Sequence, residues 1–239
     1  MLLEQAHHIR NLDVDNRATE FDREDWRTTF REFRWTRRHP DHIPQIDLML
    51  EGIHGNEISG RLLPNMMPIV EPQDAHGKNV NRRALERLFT LVVVLTYGRN
   101  KTGPERAAKM NNKLVFRNTL GDVSESCYRS DFNSAFKMLT QLIDWKKSEF
   151  VTQFLYYLCR NMNAVVKPLI FDKAVLSGMS KFGPKNMCKE RFTIGYVART
   201  SWEAYSQYLI LMHNWAGKIP CRPDQLVEFL RIRGDKGVG

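Results

Sequence analysis

Cysteine is scarce in this chain of 239 residues: Cys127, Cys159, Cys188 and Cys221 stand at least 29 positions apart. No C-x-x-C pair occurs, which argues against a zinc ribbon or a redox dithiol. Long apolar runs are also missing. The best, Leu88 to Leu95, has eight residues, whereas a membrane-spanning helix needs about 20. There is no internal repeat and no low-complexity tract. No P-loop, Rossmann glycine fingerprint, H-E-x-x-H or G-x-S-x-G pattern appears. Signatures of RRM, KH, zinc-finger and homeodomain modules are absent as well. Met1 to Arg10 has Glu4 and two histidines ahead of any apolar stretch, so it does not read as a signal peptide. With so few cysteines, an intracellular, non-secreted chain with reduced thiols is expected.

What is present is positive charge, unevenly placed. The chain holds 36 Lys and Arg against 27 Asp and Glu, a net +9. Residues 1–75 have 9 basic and 14 acidic side chains, whereas residues 76–120 have 10 basic and 2 acidic. A second basic block, 160–199, has 8 basic and 2 acidic. Blocks of one sign create a field that concentrates polyanions.

Periodicity and punctuation predict an all-α, or mainly α, protein. It would be a single compact multi-helix domain or two helical lobes, with an irregular Pro/Gly-rich segment near 39–77. The expected division is an acidic N-terminal part, 1–75, and a basic helical core, 76–239, with a hinge near 119–130. Trp26, Phe30 and Phe33 mark one face of a helix from Glu20 to Arg34. Asn81 is a cap for a helix ending at Gly98, although Leu91 to Leu95 reads equally as a buried strand. Thr102 to Glu105 has capping-box spacing, and the helix it opens would align Arg106, Lys109, Lys113 and Arg117 on one stripe. Ser130, Pro168, Thr200 and Asp224 open later helices, while Gly178, Gly217 and Gly234 are positioned to stop three of them.

Cations supply the sequence-independent phosphate contacts of nucleic-acid binding, and neighbouring aromatics can stack on unpaired bases. On that basis Arg82, Arg83, Arg87, Arg106, Lys109, Lys113 and Arg117 would form one wall of a groove. Lys181, Lys185, Lys189 and Arg191 would form the other. The role this predicts is non-catalytic: a structural protein that coats single-stranded RNA without sequence specificity and self-associates. Its profile is that of a viral nucleoprotein or capsid protein, cytoplasmic or virion-associated, with no cofactor. A matrix-type protein on an anionic membrane surface is the first alternative, since the same cations would face lipid headgroups.

The second alternative comes from Ile53-His54-Gly55-Asn56-Glu57, Gly60-Arg61 and Asn81-Arg82. These segments resemble the zinc-binding and carboxylate-binding motifs of metallocarboxypeptidases. The resemblance implies a zinc enzyme in which His54, Glu57 and His213 hold the metal and leave one position for water. The chain departs from that family between Glu57 and Pro64, which are only seven positions apart where the family has a helix and a strand. Only 26 residues follow His213.

Overall fold

The computed structural model describes residues 2–15, 18–36, 45–63, 81–143, 145, 148–162, 167–182 and 201–235. These are mostly helical, with one two-stranded ribbon, in line with the all-α expectation. None of their helices is long and apolar enough to cross a membrane. The chain divides into two compact units, one of Met1–Asp15, Asp144–Tyr156 and Lys167–Gly239, the other of Asn16–Ile143 and Tyr157–Val166. The boundary expected near residue 75 lies outside the described residues.

The second unit begins with β1 (Ala18–Glu20), paired antiparallel with β2 (Glu57–Ser59) so that Thr19 faces Ile58. A helix from Glu20 was expected. Instead Glu20 is in the ribbon, and Asp22 starts α2 (Arg23–Thr36) by accepting from the Glu24 and Asp25 amides at 2.9 and 3.2 Å. Trp26 and Phe30 are its buried face. Helix α3 (Ile46–Met49) is a single turn.

The centre of this unit is α4 (Arg82–Tyr97), capped by the Asn81 side chain, which accepts from the Ala84 amide at 3.1 Å. Leu91 to Val94 are buried as helix rather than strand. A capped first turn and Gly98, with φ +51°, fix both helix ends. A Cβ at Gly98 would also meet the Glu20 carbonyl at 2.8 Å.

Helix α5 (Thr102–Asn111) is opened by Asn100, whose Oδ1 accepts from the Thr102 amide at 3.0 Å, so the expected capping box does not form. It stops at Asn111 and a separate α6 (Leu114–Tyr128) follows. The predicted four-cation stripe is therefore split between two helices. Lys113 is extended at the break, and Asn111 is buried with its amide donating to Ala107 O and Thr90 Oγ1. Residues 119–130, expected to hold a hinge, lie in α6 and the tight turn after it. Asp131, not Ser130, caps α7 (Phe132–Leu142). The buried Glu86 carboxylate on α4 pairs with Arg117 on α6.

In the first unit, α1 (Ala6–Arg10) packs on α11 (Pro223–Asp235), with Gln225 Nε2 donating to Arg10 O at 2.6 Å. Helix α8 (Ser148–Asn161) contributes residues 148–156 here and the remainder to the second unit. Helix α10 (Trp202–Lys218) is capped by Ser201, one residue later than the Thr200 expected, which lies outside the described residues.

The most extensive helix packing is between α9 (Lys173–Phe182) and α11. Gly178, read from sequence as a helix stop, is instead buried within α9, whereas Gly234 is buried one residue before the end of α11, close to the stop expected there. A Cβ at Gly178 would sit 2.0 Å from Leu230 O, and one at Gly234 would sit 1.8 Å from Ala174 O.

Gly178→Ala and Gly234→Ala should therefore each destabilise the protein by about 3 kcal/mol or more, because backbone cannot yield as a flexible side chain would. Gly121→Ala, in open space within α6, should instead add about 0.5–1 kcal/mol; urea midpoints test the contrast. Burial raises the Glu86 carboxyl above its usual range, opposed by Arg117. A carboxyl raised in the folded state favours folding below its unfolded value, and that advantage is lost as pH rises through the folded value. Arg117→Met raises it further, so the loss of stability should be about 3 kcal/mol at about pH 7.5 and clearly smaller at about pH 5.

Candidate active site

Residues Pro168 to Phe171 are buried but belong to no helix or strand. Their backbone groups therefore need partners from elsewhere. Side chains of α8 and α10 supply them. The Tyr205 hydroxyl donates to Leu169 O at 2.7 Å and accepts from the Leu169 amide at 3.0 Å. One turn on, Tyr208 donates to Ile170 O at 2.7 Å. Thr152 Oγ1 accepts from the Phe171 amide at 3.1 Å. The Phe171 ring stacks on Tyr208 with centroids 4.5 Å apart. Burial, with Tyr205 and Asp172 nearby, pushes the Tyr208 phenol well up, so it stays a hydrogen-bond donor.

This clamped segment ends at Asp172. One carboxylate oxygen caps α9 by accepting from the Val175 amide at 2.8 Å. The other lies 3.0 Å from Arg231 Nε on α11, and both side chains are 17% exposed. Arg231 Nη1 is also 4.0 Å from Glu228. Arg231 and Glu228 line a small cleft with Val14, Asp15, Tyr156 and Leu169. Its volume of about 10 Å³ is room for about one water. Asp15 is buried, has φ +68° and accepts from the Tyr156 hydroxyl at 3.0 Å.

Two carboxylates, Asp172 and Glu228, thus lie against one guanidinium, and Asp15 lines the same cleft. Asp15 and Glu228 are the more deeply buried; Asp172 combines partial exposure with fixed orientation. A carboxylate held this way can stabilise a developing cation or accept a proton from water. Sequence reading missed this group. Pro168 to Phe171 looked like the first turn of a helix, whereas α9 begins only at Lys173. The available signal was Asp172 itself, a favoured capping residue three positions before Val175.

The cations singled out from sequence fall in both units. Arg82 and Arg83 are exposed at the start of α4, and Lys109 is exposed on α5. Arg87 donates to the carbonyls of Met49 and Glu51. Arg106 lies over the Tyr97 ring at 4.8 Å and donates to its hydroxyl. Arg117 holds Glu86. Lys113 is half-buried at the α5–α6 break. In the other unit, Lys181 donates to Arg233 O at 2.9 Å. Lys185, Lys189 and Arg191 lie outside the described residues.

The residues of the zinc alternative are not gathered by either unit. His54 is exposed just ahead of the Gly55–Asn56 turn and Glu57 opens β2 in one unit, and His213 is exposed on α10 of the other. Among the described residues, no group of three or more His, Cys, Asp and Glu side chains is placed to hold a metal.

A family model described as "Putative 8-oxoguanine DNA glycosylase OGG-like protein" matches residues 12–230. No curated protein and no solved structure matches the chain. The family match spans nearly all of the sequence, and the chain belongs to this OGG-like family. Membership overturns the expectation of a non-catalytic RNA-coating protein with a viral nucleoprotein or capsid profile, and with it the matrix and carboxypeptidase alternatives. It points to an enzyme, where none was expected. The physical reason for the error is that cation content reports phosphate binding and says nothing about what happens to the nucleic acid. A nucleic-acid partner is retained in the coarser form of DNA; single-stranded RNA and self-association do not follow from it.

Proposed function

We propose that this member of the OGG-like family is a DNA glycosylase that removes oxidised guanine, with Asp172 as its catalytic carboxylate. The family match over residues 12–230 carries the reading of the reaction. The fixed, part-exposed Asp172 carboxylate supports the assignment of the residue.

The chemistry asks little of the protein beyond placement. A glycosylase must first take its target base out of the stack. When the bond between the base and C1′ breaks, the base leaves with the electron pair and positive charge develops on the sugar. A carboxylate beside that sugar stabilises the charge until a nucleophile adds. Arg231 keeps Asp172 in one orientation rather than competing for the sugar. Exposed Arg82, Arg83 and Lys109 are suited to phosphate contacts, which hold the duplex without reading its sequence. A DNA substrate also fits the intracellular location inferred from cysteine usage.

The deciding experiment is excision from a duplex oligonucleotide with one 8-oxoguanine, read as an alkali-labile break. Wild type should cut at the lesion. Asp172→Asn should slow single-turnover excision about 100-fold or more while staying folded, because asparagine caps a helix nearly as well as aspartate. An inactive wild type sinks the glycosylase reading, and a fully active Asp172→Asn sinks the assignment of that residue. Separately, Arg82→Glu with Arg83→Glu should weaken binding to any duplex. It should also flatten the dependence of log affinity on log salt by about 0.9 for each phosphate that is no longer neutralised.

A further inference from the structure

We infer that Tyr205 and Tyr208 are positioning residues, whose hydroxyls set the place of the Asp172 carboxylate by fixing the backbone that leads into it. This rests on the glycosylase reading above. Two hydroxyls from one face of α10 engage consecutive residues, Leu169 and Ile170, and Thr152 from α8 engages the next, Phe171. Asp172 follows with no intervening residue.

Apolar packing alone would bury this segment but would not select one backbone geometry. Hydrogen bonds do, because each fixes a distance and a direction. Tyr205 is the stricter of the two, since it both gives to and receives from Leu169 and so fixes that residue from both sides. Tyr208 adds a stacked ring on Phe171 to its bond with Ile170. The carboxylate is then held from both directions: from upstream by these bonds, and from downstream by its own cap on α9 and by Arg231. Neither tyrosine needs to touch the DNA to affect the rate. A misplacement of about 1 Å at a reacting group is worth about 100-fold in rate.

The test is single-turnover excision of 8-oxoguanine by Tyr205→Phe, Tyr208→Phe and the double variant, with duplex affinity and urea midpoint measured on each. Phe150→Leu serves as control: it destabilises the same unit and removes no hydrogen bond of the segment. The expected result is a rate lowered about 10-fold in each single variant and about 100-fold in the double. Duplex affinity should stay within about twofold, since the phosphate-binding side chains are untouched. If the tyrosine variants lose no more rate than Phe150→Leu at equal loss of stability, the hydroxyls are merely structural and the inference falls alone. If wild type leaves 8-oxoguanine in place, the glycosylase reading fails and takes the positioning role with it.

Discussion

The candidate site depends on a close approach of two helix backbones. Helices α9 and α11 meet backbone to backbone, because Gly178 and Gly234 leave no Cβ between them. That approach decides which functional groups face each other. Asp172 caps the first turn of α9, and Arg231 is on α11 three residues before Gly234. Their ion pair, 3.0 Å long, lies beside this close approach. A methyl group at either glycine would drive the helices apart by more than a side-chain hydrogen bond can follow. The glycines give up intrinsic helix propensity, roughly 1 kcal/mol each, and the gain is a fixed distance between two charged groups.

Both units bury polar groups, and most of these meet a partner, although Asn111 Oδ1 and Asn133 Oδ1 are buried without one. An unpaired polar group in the interior costs about 1–3 kcal/mol, so each such group constrains its neighbours. Glu86 is tied to Arg117, and Asn111 is tied to Thr90 and Ala107. The Pro168–Phe171 segment is the extreme case, since its own backbone is the buried polar group. It cannot satisfy itself within a helix or a sheet, and its partners are three hydroxyls. Such an arrangement has few alternatives of similar energy. It therefore gives a more definite geometry than apolar packing of the same area.

Much of the helical framework was legible in the sequence because its signals are local. Asn81 and Gly98 bound α4 where expected, and the apolar face of α2 was visible in Trp26 and Phe30. Legibility failed where a residue's role is set by distant partners. Gly178 has the look of a helix stop in one dimension but is within α9, and both it and Gly234, near the end of α11, serve a close approach of two helices far apart in sequence. The spacing of Arg106, Lys109, Lys113 and Arg117 is helical, but the buried Asn111 ends the helix among them. Tyr205 and Tyr208 lie on the helix expected to open at Thr200, but nothing local singled them out, and their hydroxyl partners could not be guessed. Asp172 was missed for a related reason: one carboxylate placed by tertiary packing leaves no spacing pattern to find.

Charge was legible, and its meaning depends on the site it serves. A catalytic carboxylate has to approach a polyanion, and like charges within a Debye length of about 8 Å repel. Two features of this chain act against that repulsion. Arg231 lies against Asp172, so in the proposed role the carboxylate would meet the substrate as part of a pair rather than as a bare anion. The chain as a whole is +9, with the excess in 76–120 and 160–199, so the field that draws DNA in does not depend on the residues that would act on it. Several cations in these blocks are committed to internal partners, Arg117 to Glu86 and Arg106 to Tyr97. The basic excess has to be larger than the number of phosphates it meets. Composition overstates the binding surface for that reason.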